Sequence, residues 1–326
     1  MKKIPVSVIV PIYKVRDYIE RCAQSLMNQT LKEAEFIFIN DATTDDSMDV
    51  LQRVLCKYPD RLIRIINHEH NKGLPAARNT GLLFARGEYI YHCDSDDYLE
   101  PDMLENMYNV AISNNLDIVY CDYYLSFNKN EKLIRNKAYY NIDDYVREGL
   151  LGGRIKYNVW NKLIRRAIYV ENGIVFPEGY AMGEDMTIIR LAINAKTVTF
   201  LPRAYYHYNR TNVNSYSIHL SDKNLVDINY NVSLTEKYVM QQGTQYKQDI
   251  AYFKINTKLP FIISGDKKMY EIWRSMWPDT NPYIWNNPNH SLRIKLLEMA
   301  AVWHCDVVLR IYHSLLNKLI YGCLFR

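Results

Sequence analysis

Apolar residues recur along the first hundred positions in two alternating rhythms. Val6-Ser7-Val8-Ile9-Val10 is a short, nearly unbroken apolar run that predicts a buried strand, and residues 16–28 then place Ile19, Cys22, Ala23 and Leu26 at helical spacing. Glu35-Phe36-Ile37-Phe38-Ile39 predicts a second strand, residues 40–47 a polar turn, and Val50, Leu51, Val54 and Leu55 a second helix. A third strand is expected at Leu62-Ile63-Arg64-Ile65-Ile66, a Pro-started helix from Pro75, and a fourth strand over 88–93. Strands alternating with helices of this length predict an α/β fold whose mostly parallel sheet is flanked by helices.

After Ser217 the rhythm becomes helical, which divides the chain into an α/β domain over 1–217 and a helical C-terminal region over 218–326. Helices are expected over 225–242 and around 252–263, and Pro278, Pro282 and Pro288 then break the pattern. From Ser291 one long helix is expected to run toward the end. Cys305, Val308, Leu309, Tyr312, Leu315, Leu316, Leu319 and Ile320 share one face, and Asp306, Arg310, His313 and Asn317 the other. Charges interrupt every apolar run short of the roughly 18 residues a membrane-spanning helix needs. Two readings follow: the apolar face packs on the first domain or on a second copy of the chain, giving a homo-oligomer, or it lies on an anionic membrane surface. The second draws on Arg293, Lys295, Arg310, Lys318 and Arg326, which outnumber Glu298 and Asp306.

The ends of the predicted strands carry the chemistry. Asp41 follows the second strand and Asp94-Ser95-Asp96-Asp97 the fourth, so acids gather on the rim where open α/β sheets bind ligands. Hard oxygens suit Mg²⁺ or Mn²⁺, ions that usually arrive with a substrate diphosphate. The competing reading is an Asp-rich turn capping a helix near Pro101. No G-x-G-x-x-G follows the first strand and no P-loop motif occurs, which argues against dinucleotide and P-loop sites. Pro11-Ile12-Tyr13 stands there instead, so diphosphate charge would have to be met by a metal and side chains.

Composition adds little. The 326 residues are 48% hydrophobic and 23% charged, as in an ordinary globular chain, and a net charge of +4 is too slight to imply nucleic acid. Six cysteines without C-x-x-C spacing suit reduced thiols of a cytoplasmic protein, and Met1-Lys2-Lys3 runs into the first strand with no secretory signal.

The stretch from Val6 to Tyr13, the Asn40-Asp41 turn, Asn71-Lys72-Gly73-Leu74-Pro75-Ala76-Ala77-Arg78-Asn79-Thr80-Gly81 and Asp94-Ser95-Asp96-Asp97 resemble a family 2 glycosyltransferase, whose fold is GT-A. Trp160-Asn161-Lys162-Leu163 and Gly183-Glu184-Asp185 resemble acceptor-side motifs of that family, so the likeness spans roughly residues 4–217. Many relatives have two acids where Asn40-Asp41 stands.

The resemblance implies inverting transfer of a sugar from a nucleotide-diphosphate donor, a UDP-sugar, to a glycan or lipid-linked hydroxyl in bacterial surface-polysaccharide synthesis. It makes Asp96 the direct ligand of Mg²⁺ or Mn²⁺, with Asp94 and Ser95 beside it on the nucleotide sugar. Asp185 becomes the general base; the other reading makes it an N-cap or first-turn acid of a helix over 186–195. Glu184 either orients the acceptor or sits in solvent. Asp41 would accept the uracil N3–H, Tyr13 would stack on the base, and Pro11 would shape the pocket. Arg78 meets phosphate or forms a surface salt bridge. Trp160 and Lys162 fall on the acceptor side, with the diphosphate as a second destination for Lys162. Asp97 is expected to cap the next helix, and His207 to be a packed strand residue rather than a further metal ligand. Alternatives are a sugar-phosphate nucleotidyltransferase, which would need a Gly-rich basic loop after the first strand, and a catalytically silent nucleotide-sugar-binding scaffold.

Overall fold

The structure, a computed structural model, describes residues 3–212 and 221–323, with side chains up to Leu315. Strand β1 (Val6–Ile12) has every residue buried and lies between β2 (Glu35–Asn40) and β4 (Tyr89–His92), with β3 (Leu62–Asn67) outside β2. All three pairings are parallel, starting at Ser7 opposite Glu35, Val6 opposite Tyr89 and Glu35 opposite Leu62. A parallel strand covered on both faces reads as a continuous apolar run, which is why no alternation marks these segments.

Helices α1 (Ile19–Met27) and α2 (Ser47–Leu55) cover one face through Ile19, Cys22, Leu26 and Leu51, packed with Val8, Val10, Phe36 and Phe38. Helix α3 (Leu74–Phe84) covers the other. Its Gly81 sits so close to the sheet that an added Cβ would fall 2.3 Å from Ile9 Cγ2, so a side chain there would push the helix away from the strand ends it serves.

The parallel expectation holds for these four strands, and the sheet then becomes mixed. Across β5 (Tyr98–Leu99), α4 (Met103–Ser113), β6 (Ile118–Ser126), β7 (Glu131–Ile134), α5 (Ile142–Asp144), β8 (Lys162–Arg165), α6 (Arg166–Glu171), α7 (Thr187–Asn194) and β9 (Val198–Asn209), the spatial order extends to β3-β2-β1-β4-β8-β6-β9-β5. Strand β8 is antiparallel to both β4 and β6, whereas β6 and β9 are parallel. Two-residue β5 pairs antiparallel with β9, Tyr98 opposite His207, and so fastens the Asp94–Asp97 segment to the far half of the sheet.

The chain forms two compact units, Met1–Tyr145 with Lys156–Tyr238 and Val146–Ile155 with Val239–Arg326. The boundary therefore falls inside α8 (Asp222–Gln242) rather than at 217/218, because most of that helix stays with the first unit. The second unit holds α9 (Lys247–Ile263), α10 (Lys267–Ser275), α11 (Leu292–Val302) and α12 (Asp306–Cys323). The single C-terminal helix expected from Ser291 is in fact two. The first ends in a Schellman turn: His304 takes φ 58°, Cys305 N–H donates to Ala300 O at 2.8 Å and His304 N–H to Ala301 O at 3.2 Å. Among the described residues, no helix is long and apolar enough to cross a membrane.

Candidate active site

The carboxyl ends of β1, β2 and β4 open onto one rim, and the segment after β4 is pinned from below. Asp97 is buried and accepts Tyr206 Oη–H at 2.5 Å and Asn209 N–H at 2.7 Å. It does not cap a helix as expected; the next helix starts beyond Asp102, and Asp97 instead ties the segment to β9. Burial and the charges of Asp96 and Asp94 hold its carboxyl well above the usual range.

With Asp97 turned inward, Asp94 and Asp96 remain on the rim. Asp96 accepts Asn212 Nδ2–H at 2.9 Å, and burial plus the neighbouring Asp94 push its pKa up to about 6. Two hard-oxygen donors that repel each other fit a divalent cation, and their number suits an ion whose remaining ligands come from phosphate and water. Among the described residues, no group of three His, Cys, Asp or Glu side chains forms a complete metal cage.

Behind Asp94 lies Arg78, one turn into α3 and 1% exposed. Its Nη2 is 3.0 Å from Asp94 Oδ1, 3.6 Å from Glu184 Oε1 and 3.8 Å from Asp185 Oδ1, and the guanidinium lies 5.5 Å from the Phe176 ring centroid. The surface ion pair is excluded: Arg78 is a buried hub beside three carboxylates. Burial works against its charge, but Asp94, Asp185 and Glu184 outweigh that and hold it protonated.

Burial pushes Asp185 up to about 6, with Arg78 opposing and Asp94 adding to the rise, and drives Glu184 well above the usual range. Glu184 is 7% exposed, so the solvent reading fails. The pair occupies a short 3₁₀ turn, Glu184–Met186, entered through Gly183 at φ 91°; α7 then starts at Thr187 with no side-chain cap, so Asp185 is not a capping acid. Removing the hub by Arg78→Met is expected to destabilise the fold by about 3–5 kcal/mol near neutral pH, the cost of leaving buried charge unpaired. The loss should shrink toward pH 4 as the acids protonate, which urea melts at several pH values would show.

At the end of β2, Asp41 is 2% exposed, with Lys72 N–H and Gly73 N–H each donating to its carboxylate at 2.8 Å and His68 Nδ1 at 2.7 Å. His68 Nε2 in turn meets Thr80 Oγ1 at 2.9 Å on α3. Asp41 is thus turned inward as the clamp of the 68–73 loop, rather than presented to a base as expected. Pro11 is buried in β1, and Tyr13 beyond it is 41% exposed with Lys14 Nζ 5.2 Å from its ring centroid. Ala42 holds φ 52°, where an L side chain crowds its own backbone. Ala42→Gly is expected to stabilise the protein by about 1 kcal/mol, the strain relieved less the added freedom of the unfolded chain. A rise in melting temperature of a few degrees would show it.

The acceptor-side expectations need correction. Trp160 is 4% exposed, its ring stacked 4.3 Å from Tyr206 and 5.4 Å from Tyr208 and met edge-on by Tyr123, so it is core beneath the site. Lys162 is fully buried. Its Nζ donates to Lys156 O at 3.1 Å, Asn158 O at 2.5 Å and Asn161 Oδ1 at 2.8 Å, and burial lowers its pKa to about 7 against the pull of Asp185. It fixes the 156–161 loop from within. His207 is the packed strand residue expected: Nδ1 meets Glu131 at 2.8 Å, Nε2 meets Glu100 at 3.0 Å, and Tyr98 and Tyr124 stack on its two sides. Beside Asp96 opens a cleft of about 750 Å³, lined among others by Asp17, Arg21, Glu100, Asn128, Asn130 and Thr211.

With this geometry in place, the model of the family described as Glycosyl transferase family 2 matches residues 7–182. The chain belongs to that family. Its sequence is similar to the uncharacterized glycosyltransferase EpsJ of Bacillus subtilis, 33% identical over 76% of this chain and 69% of the relative. It is also similar to the cholesterol galactosyltransferase of Borreliella burgdorferi, 29% identical over 83% and 81%. The crystal structure of Staphylococcus aureus TarS 1–349 in complex with UDP superposes with TM-score 0.67 at 20% identity, covering 98% of this chain and 92% of that TarS 1–349 chain. This family 2 glycosyltransferase therefore has the GT-A fold.

The family match ends just before Glu184, so the pairing of Asp185 with the donor-side acids rests on the distances to Arg78. Sequence reasoning missed His68, Asn212 and Tyr206 as supports of the site. His68 alone carried a local signal, because it directly follows a strand on the acid-bearing rim.

Proposed function

We propose that this glycosyltransferase moves a sugar from a UDP-sugar to a hydroxyl of a glycan or lipid-linked acceptor, with inversion, in the synthesis of a surface polysaccharide on the cytoplasmic side of the membrane. The observation that carries this reading is the Nη2 of buried Arg78, which lies 3.0 Å from Asp94 Oδ1 and 3.8 Å from Asp185 Oδ1 and so gathers the carboxylates of the proposed donor and base roles around one cation. The fold shared with TarS, a protein crystallised with UDP, supports the donor class. The acceptor class draws on the cholesterol galactosyltransferase and on a poly(ribitol-phosphate) beta-glucosyltransferase of Bacillus spizizenii, 30% identical over 62% of this chain. The alternative of a sugar-phosphate nucleotidyltransferase is set aside by family membership.

In this reading Asp185 accepts the acceptor hydroxyl's proton as that oxygen attacks the anomeric carbon from the face opposite the leaving group. Arg78 holds Asp185 in place and keeps part of its negative charge available at neutral pH. Mg²⁺ or Mn²⁺, when bound at Asp96 with Asp94 beside it, supplies the positive charge that offsets the departing diphosphate. Tyr13 offers an exposed ring to the base, Pro11 borders it, and Ser95 lies between the two rim acids. The polar cleft beside Asp96 suits hydroxyl-rich groups.

A panel of UDP- and GDP-sugars, assayed for release of the nucleoside diphosphate with each divalent cation, tests the reading. Release from one UDP-sugar that depends on Mg²⁺ or Mn²⁺ is expected. Turnover of GDP-sugars alone would overturn the base assignment, and binding without release from any donor would favour a silent scaffold.

A further inference from the structure

Residues 291–315 bury only one side of their two helices. Leu297, Ala300 and Ala301 of α11 and Leu309 of α12 are packed inward. The outer side exposes Leu292 and Leu296 on α11, Trp303 at the break, and Val307, Val308, Ile311 and Leu315 on α12, each between 47% and 65% exposed. Val307, Ile311 and Leu315 recur every four residues and so form one stripe along α12. Scattered exposed apolar residues are ordinary; seven large ones within 24 residues are a surface awaiting a neighbour.

The charges say which neighbour. Both acids of the segment are occupied inside the unit: Glu298 is fully buried against His290 at 3.1 Å, and Asp306 pairs with Arg274. Arg293 and Arg310 are exposed and Lys295 half-buried, so the outward charge of residues 291–315 is positive. A second copy docking by the same face would bring two basic faces together. An anionic lipid surface would meet both the apolar stripe and the cations, with Trp303 at interfacial depth.

We propose that the outer side of α11 and α12 docks this enzyme on an anionic bilayer, lying in the interface without crossing it. The inference is independent of the donor and acceptor assigned above.

Flotation of the full chain with vesicles tests it. Binding is expected to vesicles of phosphatidylcholine mixed with phosphatidylglycerol, to fall as salt is raised, and to be weak on phosphatidylcholine alone. Arg293→Glu combined with Arg310→Glu should lower the partition coefficient at least about tenfold. Trp303→Ser with Ile311→Asp should abolish flotation while circular dichroism and melting temperature hold, because both side chains are exposed. No flotation with anionic vesicles at low salt overturns the proposal, as does flotation that survives Trp303→Ser with Ile311→Asp. A dimer in sedimentation that Ile311→Asp dissociates, without vesicle binding, overturns it in favour of self-association.

Discussion

Asp185→Asn is expected to lower the transfer rate by about 10²–10⁴-fold, the usual contribution of a positioned general base, while the free enzyme becomes more stable to heat. The two effects share one cause. Burial raises the Asp185 pKa to about 6, above the roughly 3.9 of an exposed aspartate. Below the lower value both folded and unfolded states hold the proton, and the group is neutral toward stability. As pH rises from there through 6, the unfolded chain releases the proton more readily, so stability falls, and near pH 7 the folded state bears the full cost of the ionised form. Asparagine keeps the shape and removes that cost. The same pKa predicts that kcat/KM of the natural enzyme falls below about pH 6, where a base at Asp185 is protonated in the free protein. Donor affinity measured by calorimetry should survive the substitution, because Asp94 and Asp96 are left unchanged. Unchanged transfer would end the assignment, and lost donor binding would give Asp185 a different role.

Much of the donor half was legible because its physics is local. Strands buried on both faces are written as apolar runs, and Asp41, Asp94 and Asp96 stand at their ends, where the fold brings them to one rim. What the sequence did not reveal was which way each polar group turns. Asp41 and Asp97 lie in the same rim segments as Asp94 and Asp96, yet they are consumed by amides of residues 72, 73 and 209 and by Tyr206. Those donors come from β9 and from the loop before α3, distant in sequence. Arg78 could be placed on a helix but not known to be buried, because burial depends on Phe176 and on the Glu184–Asp185 turn, about a hundred residues away. Trp160 shows the same limit. A tryptophan in a polar motif reads as an acceptor platform until Tyr206 and Tyr208 are seen stacked on it. The break after α11 lacked a signal altogether, since Trp303-His304-Cys305 holds no Gly, Asn or Pro where the left-handed residue falls.

Asp96→Asn is expected to reduce turnover by about 10²–10³-fold, matching the several kcal/mol that charge compensation of a leaving diphosphate contributes at about 1.4 kcal/mol per factor of ten. The fold should survive, because an asparagine side chain in the same place still offers an oxygen to Asn212 Nδ2–H. It should even gain some stability, since the raised pKa of Asp96 marks its ionised form as costly in the free protein. A proton and a cation compete for that carboxylate, so Mn²⁺ affinity should weaken as pH falls through about 6, a dependence the variant should lack. Asp97 gives the contrasting outcome. Asp97→Ala strands the buried Tyr206 hydroxyl and the Asn209 amide and should lower stability by about 2–4 kcal/mol. Its effect on activity should appear as loss of folded enzyme rather than as a changed metal requirement. Turnover that persists in excess chelator, or a near-normal rate for Asp96→Asn, would remove the divalent ion from this reaction and leave Arg78 as the cation nearest the departing diphosphate.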